Sequence, residues 1–150
     1  MEPAWPAAEL RSRRELAVRA HMQAEMSGDI PATLATFADE PEYDIVPLGG
    51  LRRGNEEVHE VLANLLGAFP DLGLHVVVLR HTADAVVIEG RMTGTHTGPY
   101  GPFPPRGHPL DLRAAILFHF DVDGADLRRE TVYYDELTLL VQIGAVPSPA

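Results

Sequence analysis

The chain has 150 residues, a formal charge of −10 and no cysteine. The acidic balance argues against a nucleic-acid partner, whose phosphates need clustered Lys and Arg, and without Cys there is neither a disulfide framework nor a thiolate nucleophile. Hydrophobic residues make up 45% of the chain, too many for disorder, and no apolar run approaches the ~20 residues that cross a bilayer.

The N-terminal "MEPAWPAAELRSRREL" lacks the continuous apolar segment of a signal peptide, so a cytoplasmic protein is expected. Helical spacing from Ala7 to Met26 sets Val18, Met22 and Met26 at i, i+4 and i+8, with Ala17, Ala20 and Ala24 beside them, a stripe that reads as core. The basic cluster "RSRR" at 11–14 is expected on the solvated face of this helix. Gly28 ends the helix, and Asp29 caps a short second one with Pro31 in its first turn, carrying Leu34 and Phe37. "EYDIVPL" then reads as a brief strand. The clearest helix is "RRGNEEVHEVLANLLGAFPDL". Asn55 suits its N-cap, Glu56 and Glu57 its first turn, and Val58, Leu62, Leu65, Leu66 and Phe69 its apolar face, with Pro70 as the stop.

Four long strands follow: "LHVVVLRH", "DAVVIEGRMTGTH", "LDLRAAILFHFDV" and "LRRETVYYD", then a last short helix, "ELTLLVQIG". Alternation places Leu110, Leu112, Ala114, Ile116, Phe118 and Phe120 on one face of the third strand. Val86, Ile88, Met92 and His96 share the inner face of the second strand, and Glu130, Val132 and Tyr134 that of the fourth. Helices first and a strand meander afterwards predict an α+β domain over residues 1–150, with 1–6 and 145–150 as frayed tails.

This order of elements resembles the SnoaL-like polyketide cyclase family of the nuclear-transport-factor-2-like (ketosteroid-isomerase-like) superfamily. The stretches that carry the resemblance are "SGD", "RRG", "AFPDL", "GTHTGPYGPFPPRG" and "ETVYYDELTLLVQIG". It implies a cone-shaped α+β barrel, with three to four helices packed on a curved antiparallel sheet that encloses an apolar pocket. It also implies a homodimer through the outer sheet face. Aldol-type cyclases of the family carry a carboxylate where this chain has Val132, and ketosteroid-isomerase-like members carry their base near the position of Ile45. Neither side chain can take a proton, so any chemistry here uses other residues.

The pair expected to move protons is His96 and Glu130, since a carboxylate bonded to an imidazole fixes its tautomer and raises its basicity. Epoxide-opening cyclases of the family use a histidine and a glutamate in comparable places. Tyr43 is a candidate phenol donor to a substrate oxygen. Tyr134, Met92, Leu112, Ala114, Ile116, Phe118, Phe103 and Val132 are expected to line the substrate site. His21 either looks into the cone or lies on the helix surface, the commoner place. Asp135 reads as the N-cap of the last helix. With no HExxH, no His pair at i, i+4 and no Walker-type loop, neither a metal nor a nucleotide cofactor is expected.

The functional expectation is a cofactor-independent cyclase or isomerase of specialised metabolism. It would act on an apolar oxygenated small molecule, a polyketide or prenylated aromatic, by acid/base-catalysed ring closure such as epoxide opening. The alternatives are a non-catalytic small-molecule binding protein of the same fold, an aldol-type polyketide cyclase, or an epoxide hydrolase. The expected partners are the apolar substrate and a second copy of the chain, with no nucleic acid and no membrane.

Overall fold

The computed structural model describes residues 5–150. The elements run α1 (Ala8–Met26), α2 (Ile30–Ala35), β1 (Phe37–Ile45), a 3-10 turn (Val46–Leu48), β2 (Leu51–Arg53), α3 (Gly54–Ala68), β3 (Gly73–His81), β4 (Ala85–Thr95), β5 (Pro109–Phe120), β6 (Leu127–Tyr134) and α4 (Glu136–Gln142). Local chemistry sets most of these bounds. Asp29 caps α2 through Ala32 N at 2.9 Å, and Asp135 caps α4 through Leu137 N at 3.0 Å. Helix α3 begins two residues earlier than an Asn55 cap would give, with Arg53 at the cap position and Glu57 reaching back to Arg53 N at 2.9 Å. Phe37 opens β1 rather than closing α2.

The six strands form one sheet in the order β2-β1-β6-β5-β4-β3. The expectation of a barrel is corrected here, because β2 and β3 are the two edges and do not pair with each other, so the sheet stays open. The sheet is also mixed rather than antiparallel, since β1 runs parallel to β6, with Tyr43 level with Glu130 and Ile45 with Val132. A register shift between Phe37 and Glu42 interrupts that pairing. Asp39 turns there through a positive φ of 55°, and Pro41, which has no N–H to give a ladder, falls in the same irregular stretch.

Strand alternation sorts the core as the sequence predicts. Leu110, Leu112, Ala114, Ile116, Phe118 and Phe120 of β5 are all buried, as are Val86, Ile88 and Met92 of β4. They pack with Val18 of α1 and with Val58, Leu62 and Leu65 of α3 in one core. Helix α1 bears out the expected stripe in part: Val18 is buried and Ala17 and Met22 pack against the core, whereas Met26 is 40% exposed, and Arg14 and His21 are buried beside Val18. Of the stretches expected to fray, residues 1–4 lie outside the described residues. Pro6 is buried, and Ala145 bonds back to Leu140 O at 2.8 Å.

The proline-rich stretch after β4 is pinned rather than loose. Thr97 N and Gly98 N both donate to Ala68 O, at 3.1 and 3.2 Å, at the C-terminal end of α3. A Cβ on Gly98 would stand 1.9 Å from Gly67 O, so the approach admits only glycine. Tyr100 and Phe103 close a tight turn by exchanging backbone bonds of 3.0 and 2.9 Å.

Candidate active site

The candidate site is a polar cluster at one end of an apolar cavity under α1. The cavity is walled by Met22, Met26, Leu65, Leu72, Leu74, Met92, Ile116 and Val132, with Glu25, Tyr43, Glu130 and Tyr134 as its polar members. It is narrow, about 30 Å³, room for one or two waters. A broader outer groove of about 520 Å³ lies beyond Leu65 and holds Arg52, Tyr100, Phe103 and Glu136.

Three elements build the cluster. Helix α1 supplies His21 and Glu25, four residues apart and hence on one face; β6 supplies Glu130; β1, beside β6, supplies Tyr43. His21 Nε2 lies 2.6 Å from Glu130 Oε2 and 3.3 Å from Glu25 Oε2. Tyr43 donates its hydroxyl to Glu25 Oε1 at 3.0 Å. Behind the imidazole, His21 Nδ1 meets Thr36 Oγ1 at 2.6 Å, and the rings of Phe37 and Phe118 stand edge-on to it at 5.0 and 5.7 Å.

Burial and opposite charge act together on these groups. Burial opposes the imidazolium of His21, but the carboxylates of Glu130 and Glu25 outweigh it and raise the pKa to about 10. Burial, reinforced by the charge of Glu25, raises Glu130 to about 7 against the pull of His21. The two groups share an exchangeable proton at the Nε2–Oε2 contact. Burial first, then the carboxylates of Glu130 and Glu25, push the Tyr43 phenol well above its ordinary value, so it stays a neutral donor. The arrangement therefore places a proton store and a hydroxyl at one apolar cavity.

The structure does not join His96 to Glu130, which corrects the predicted pair. β4 and β5 pair Val86 with Phe118 and Thr95 with Pro109, while Glu130 stands opposite Phe118. His96 continues that ladder beyond Thr95, bonding through its N–H to His108 O at 2.9 Å. Ten residue steps, from His108 just before β5 to Phe118 within it, thus separate the two levels, roughly 33 Å along an extended chain. His96 is wholly buried against Phe69, 5.6 Å between ring centroids. Neither of its ring nitrogens has a hydrogen-bond partner among the described residues. Burial, with the charges of His108 and Arg106, lowers its pKa.

Of the residues expected to line the site, Met92, Ile116, Val132 and Tyr134 stand on the cavity wall with Tyr43 and Glu130. Leu112, Ala114 and Phe118 are buried in the core and are not among the residues of that wall, and Phe103 lies in the outer groove. His21 is the member that the sequence reading left open. Its signal was the i, i+4 pairing with Glu25 on a stripe that also carries Arg14 and Val18. The "RSRR" expectation is corrected for one residue, since Arg14 is fully buried. It donates to the carbonyls of Gly124, Ala83, Asp121 and Val122 at 2.8–3.0 Å.

His21 Nε2 with one oxygen each of Glu25 and Glu130 also forms a donor set within 4.8 Å, compact enough to hold a metal ion. Among the described residues no helix is long and apolar enough to cross a membrane.

Comparison with known proteins places this fold. The family model described as SnoaL-like polyketide cyclase matches residues 15–143. Among solved structures, a putative SnoaL-like polyketide cyclase from Jannaschia sp. CCS1 superposes with a TM-score of 0.79 at 19% identity, covering 96% of this chain and 100% of that one. AclR, a putative hydroxylase from Streptomyces galilaeus, gives 0.76 at 18%, covering 93% and 85%. A putative polyketide cyclase from Acidithiobacillus ferrooxidans gives 0.72 at 24%, covering 89% and 95%. At these identities the structures share the fold alone. No curated protein matches the chain at a significant level.

Proposed function

The chain belongs to the SnoaL-like polyketide cyclase family, and from that premise we propose that it is a cofactor-independent enzyme performing acid/base-catalysed ring closure or isomerisation. Its substrate is an apolar oxygenated small molecule of the polyketide or prenylated-aromatic kind. The observation that carries this reading is the buried Nε2–Oε2 contact of 2.6 Å between His21 and Glu130 at an apolar cavity. In the ring closure, the basic member of the pair takes the proton of an attacking hydroxyl, and Tyr43 turns its hydroxyl from Glu25 Oε1 to the oxygen on which charge develops. For an epoxide, the C–O bond of the three-membered ring breaks as the new C–O bond forms, and the opened oxygen is protonated by the cluster. The apolar wall keeps bulk water from competing as nucleophile.

The cavity is too narrow for such a substrate as it stands. Met22, Met26 and Met92 line it, and their three side-chain torsions each give the wall room to open. The enzyme acts in the cytoplasm as a homodimer through the outer sheet face, where Tyr133 is 47% exposed and Val77, in the bulge of β3, is 68% exposed.

The test is turnover on candidate epoxide or polyketide substrates by wild type, His21→Gln and Glu130→Gln, with and without a chelator. Each variant is expected to lose about 10²–10⁴-fold in kcat, and chelation to leave the wild type unchanged. Full activity in both variants, or bound ligand recovered unaltered, would replace the enzyme with a binding protein. Loss of activity on chelation would replace the proton chemistry with metal chemistry.

A further inference from the structure

Thr36, the residue that closes α2, meets two groups at hydrogen-bond distance. Its Oγ1 lies 2.6 Å from Thr33 O and 2.6 Å from His21 Nδ1. A carbonyl oxygen only accepts, and a threonine hydroxyl has one proton to give. That proton therefore goes to Thr33 O, and the hydroxyl oxygen is left to accept. The atom that donates to it is His21 Nδ1, which must carry hydrogen.

We infer that Thr36 is a positioning residue that holds the Nδ1–H form of His21, so that Nε2 is the atom that gains and loses the proton. This deepens the proposed function, on which its consequence for turnover rests. Nε2 is the nitrogen turned to Glu130 at 2.6 Å and Glu25 at 3.3 Å, both of which line the cavity. Had Nδ1 been free to deprotonate, half of the neutral imidazole's choices would leave a lone pair facing Thr36, where no proton can be supplied. The anchor is itself fixed. Thr36 N also donates to Thr33 O at 3.1 Å, and Thr33, buried, bonds Asp29 O through its own hydroxyl at 2.8 Å. The short helix α2, capped at Asp29, thus acts as the bracket for a ring on α1. The other groups around the imidazole are the carboxyls of Glu25 and Glu130, the Tyr43 phenol that bonds Glu25, and the Phe37 and Phe118 rings.

The inference is tested by nitrogen-15 NMR of the histidine rings in the full-length protein, with His21 assigned by loss of its signal in His21→Gln. Wild type is expected to show Nδ1 protonated across the pH range 6–10 while Nε2 alone titrates. Thr36→Val, nearly isosteric, should move His21 toward a mixture of tautomers. It should also lower kcat by about tenfold, short of the 10²–10⁴ of losing the base itself, and shift the pH profile of kcat. Thr36→Ser should restore the wild-type ring signature and profile. If Thr36→Val keeps Nδ1 fully protonated with an unchanged profile, or if Thr36→Ser behaves like the valine variant, the inference is overturned. The ring signature is read without substrate, so its failure is distinct from that of the proposed reaction, which the turnover of His21→Gln decides.

Discussion

Arg14 and His21 stand two turns apart on the same face of α1, with Val18 between them, and neither side chain reaches solvent. Their surroundings differ in kind. The guanidinium of Arg14 is spent on four main-chain carbonyls of the turns around Ala83 and 121–124 and covers the ring of Phe120 at 5.2 Å. Every donor bond it makes is to backbone, so it ties helix α1 to two β-turns and offers nothing to a ligand. The imidazole of His21 instead faces two carboxyl groups whose protonation can change. Burial of a charged group is thus uninformative about function until its partners are named; titratable partners at a cavity are what separate the second residue from the first.

That contrast can be broken by experiment. The largest effect on stability is expected from Arg14→Met, which removes the donor to the carbonyls of Ala83, Val122 and Gly124 and leaves Asp121 O only the Gly124 N–H: a loss of about 3 kcal/mol in urea unfolding, with kcat retained in the fraction that stays folded. If stability barely moved, the tie between α1 and the turns would be wrong. The double variant His21→Phe with Glu130→Leu should do the reverse. A buried ion pair replaced by apolar groups of similar volume keeps stability within about 1 kcal/mol or improves it, while activity disappears. A loss as large as that of Arg14→Met would make His21 a structural residue too.

The same double variant sharpens the comparison through pH. His21 rises from 6.5 to about 10 and Glu130 from 4.5 to about 7 on folding, so the folded state binds more protons than the unfolded one across that span. The contribution of the pair is therefore complete below pH 4.5 and is lost as pH climbs through 7 to 10. Urea midpoints measured from pH 5 to 10 should fall for wild type and stay flatter for the double variant. The smallest effect is expected at His96, whose lowered pKa has the opposite sign: its contribution is lost as pH falls below 6.5. His96→Leu should gain about 1 kcal/mol by removing two unpartnered nitrogens, flatten the acid-side loss and leave turnover unchanged. A collapse of turnover in that variant would return His96 to the catalytic list.

The helices, the caps at Asp29 and Asp135 and the inner faces of β4, β5 and β6 were legible because hydrophobic period and cap chemistry are local; the Asn55 cap was not, since the chain enters α3 through Arg53 and Gly54. Alternation placed Glu130, Val132 and Tyr134 inward correctly. What alternation cannot give is height along a strand. His96 has the right parity for the interior but stands opposite His108, far from the level of Glu130, and only the β4–β5–β6 register reveals it. His21 and Glu130 are 109 residues apart, on a helix and a strand whose meeting depends on how α1 crosses the sheet. The barrel expectation failed for a related reason: whether β2 and β3 find each other is a property of the whole sheet, and no single strand encodes it.

The methionines of the cavity carry a consequence for how such a protein can change its diet. The His21, Glu25 and Glu130 side chains are fixed by backbone register and by short polar contacts, whereas three residues of the wall are thioether chains that reshape by bond rotation. A new carbon skeleton can therefore be accommodated by exchanging or re-posing Met22, Met26 or Met92, while the strands and the proton-handling groups keep their places.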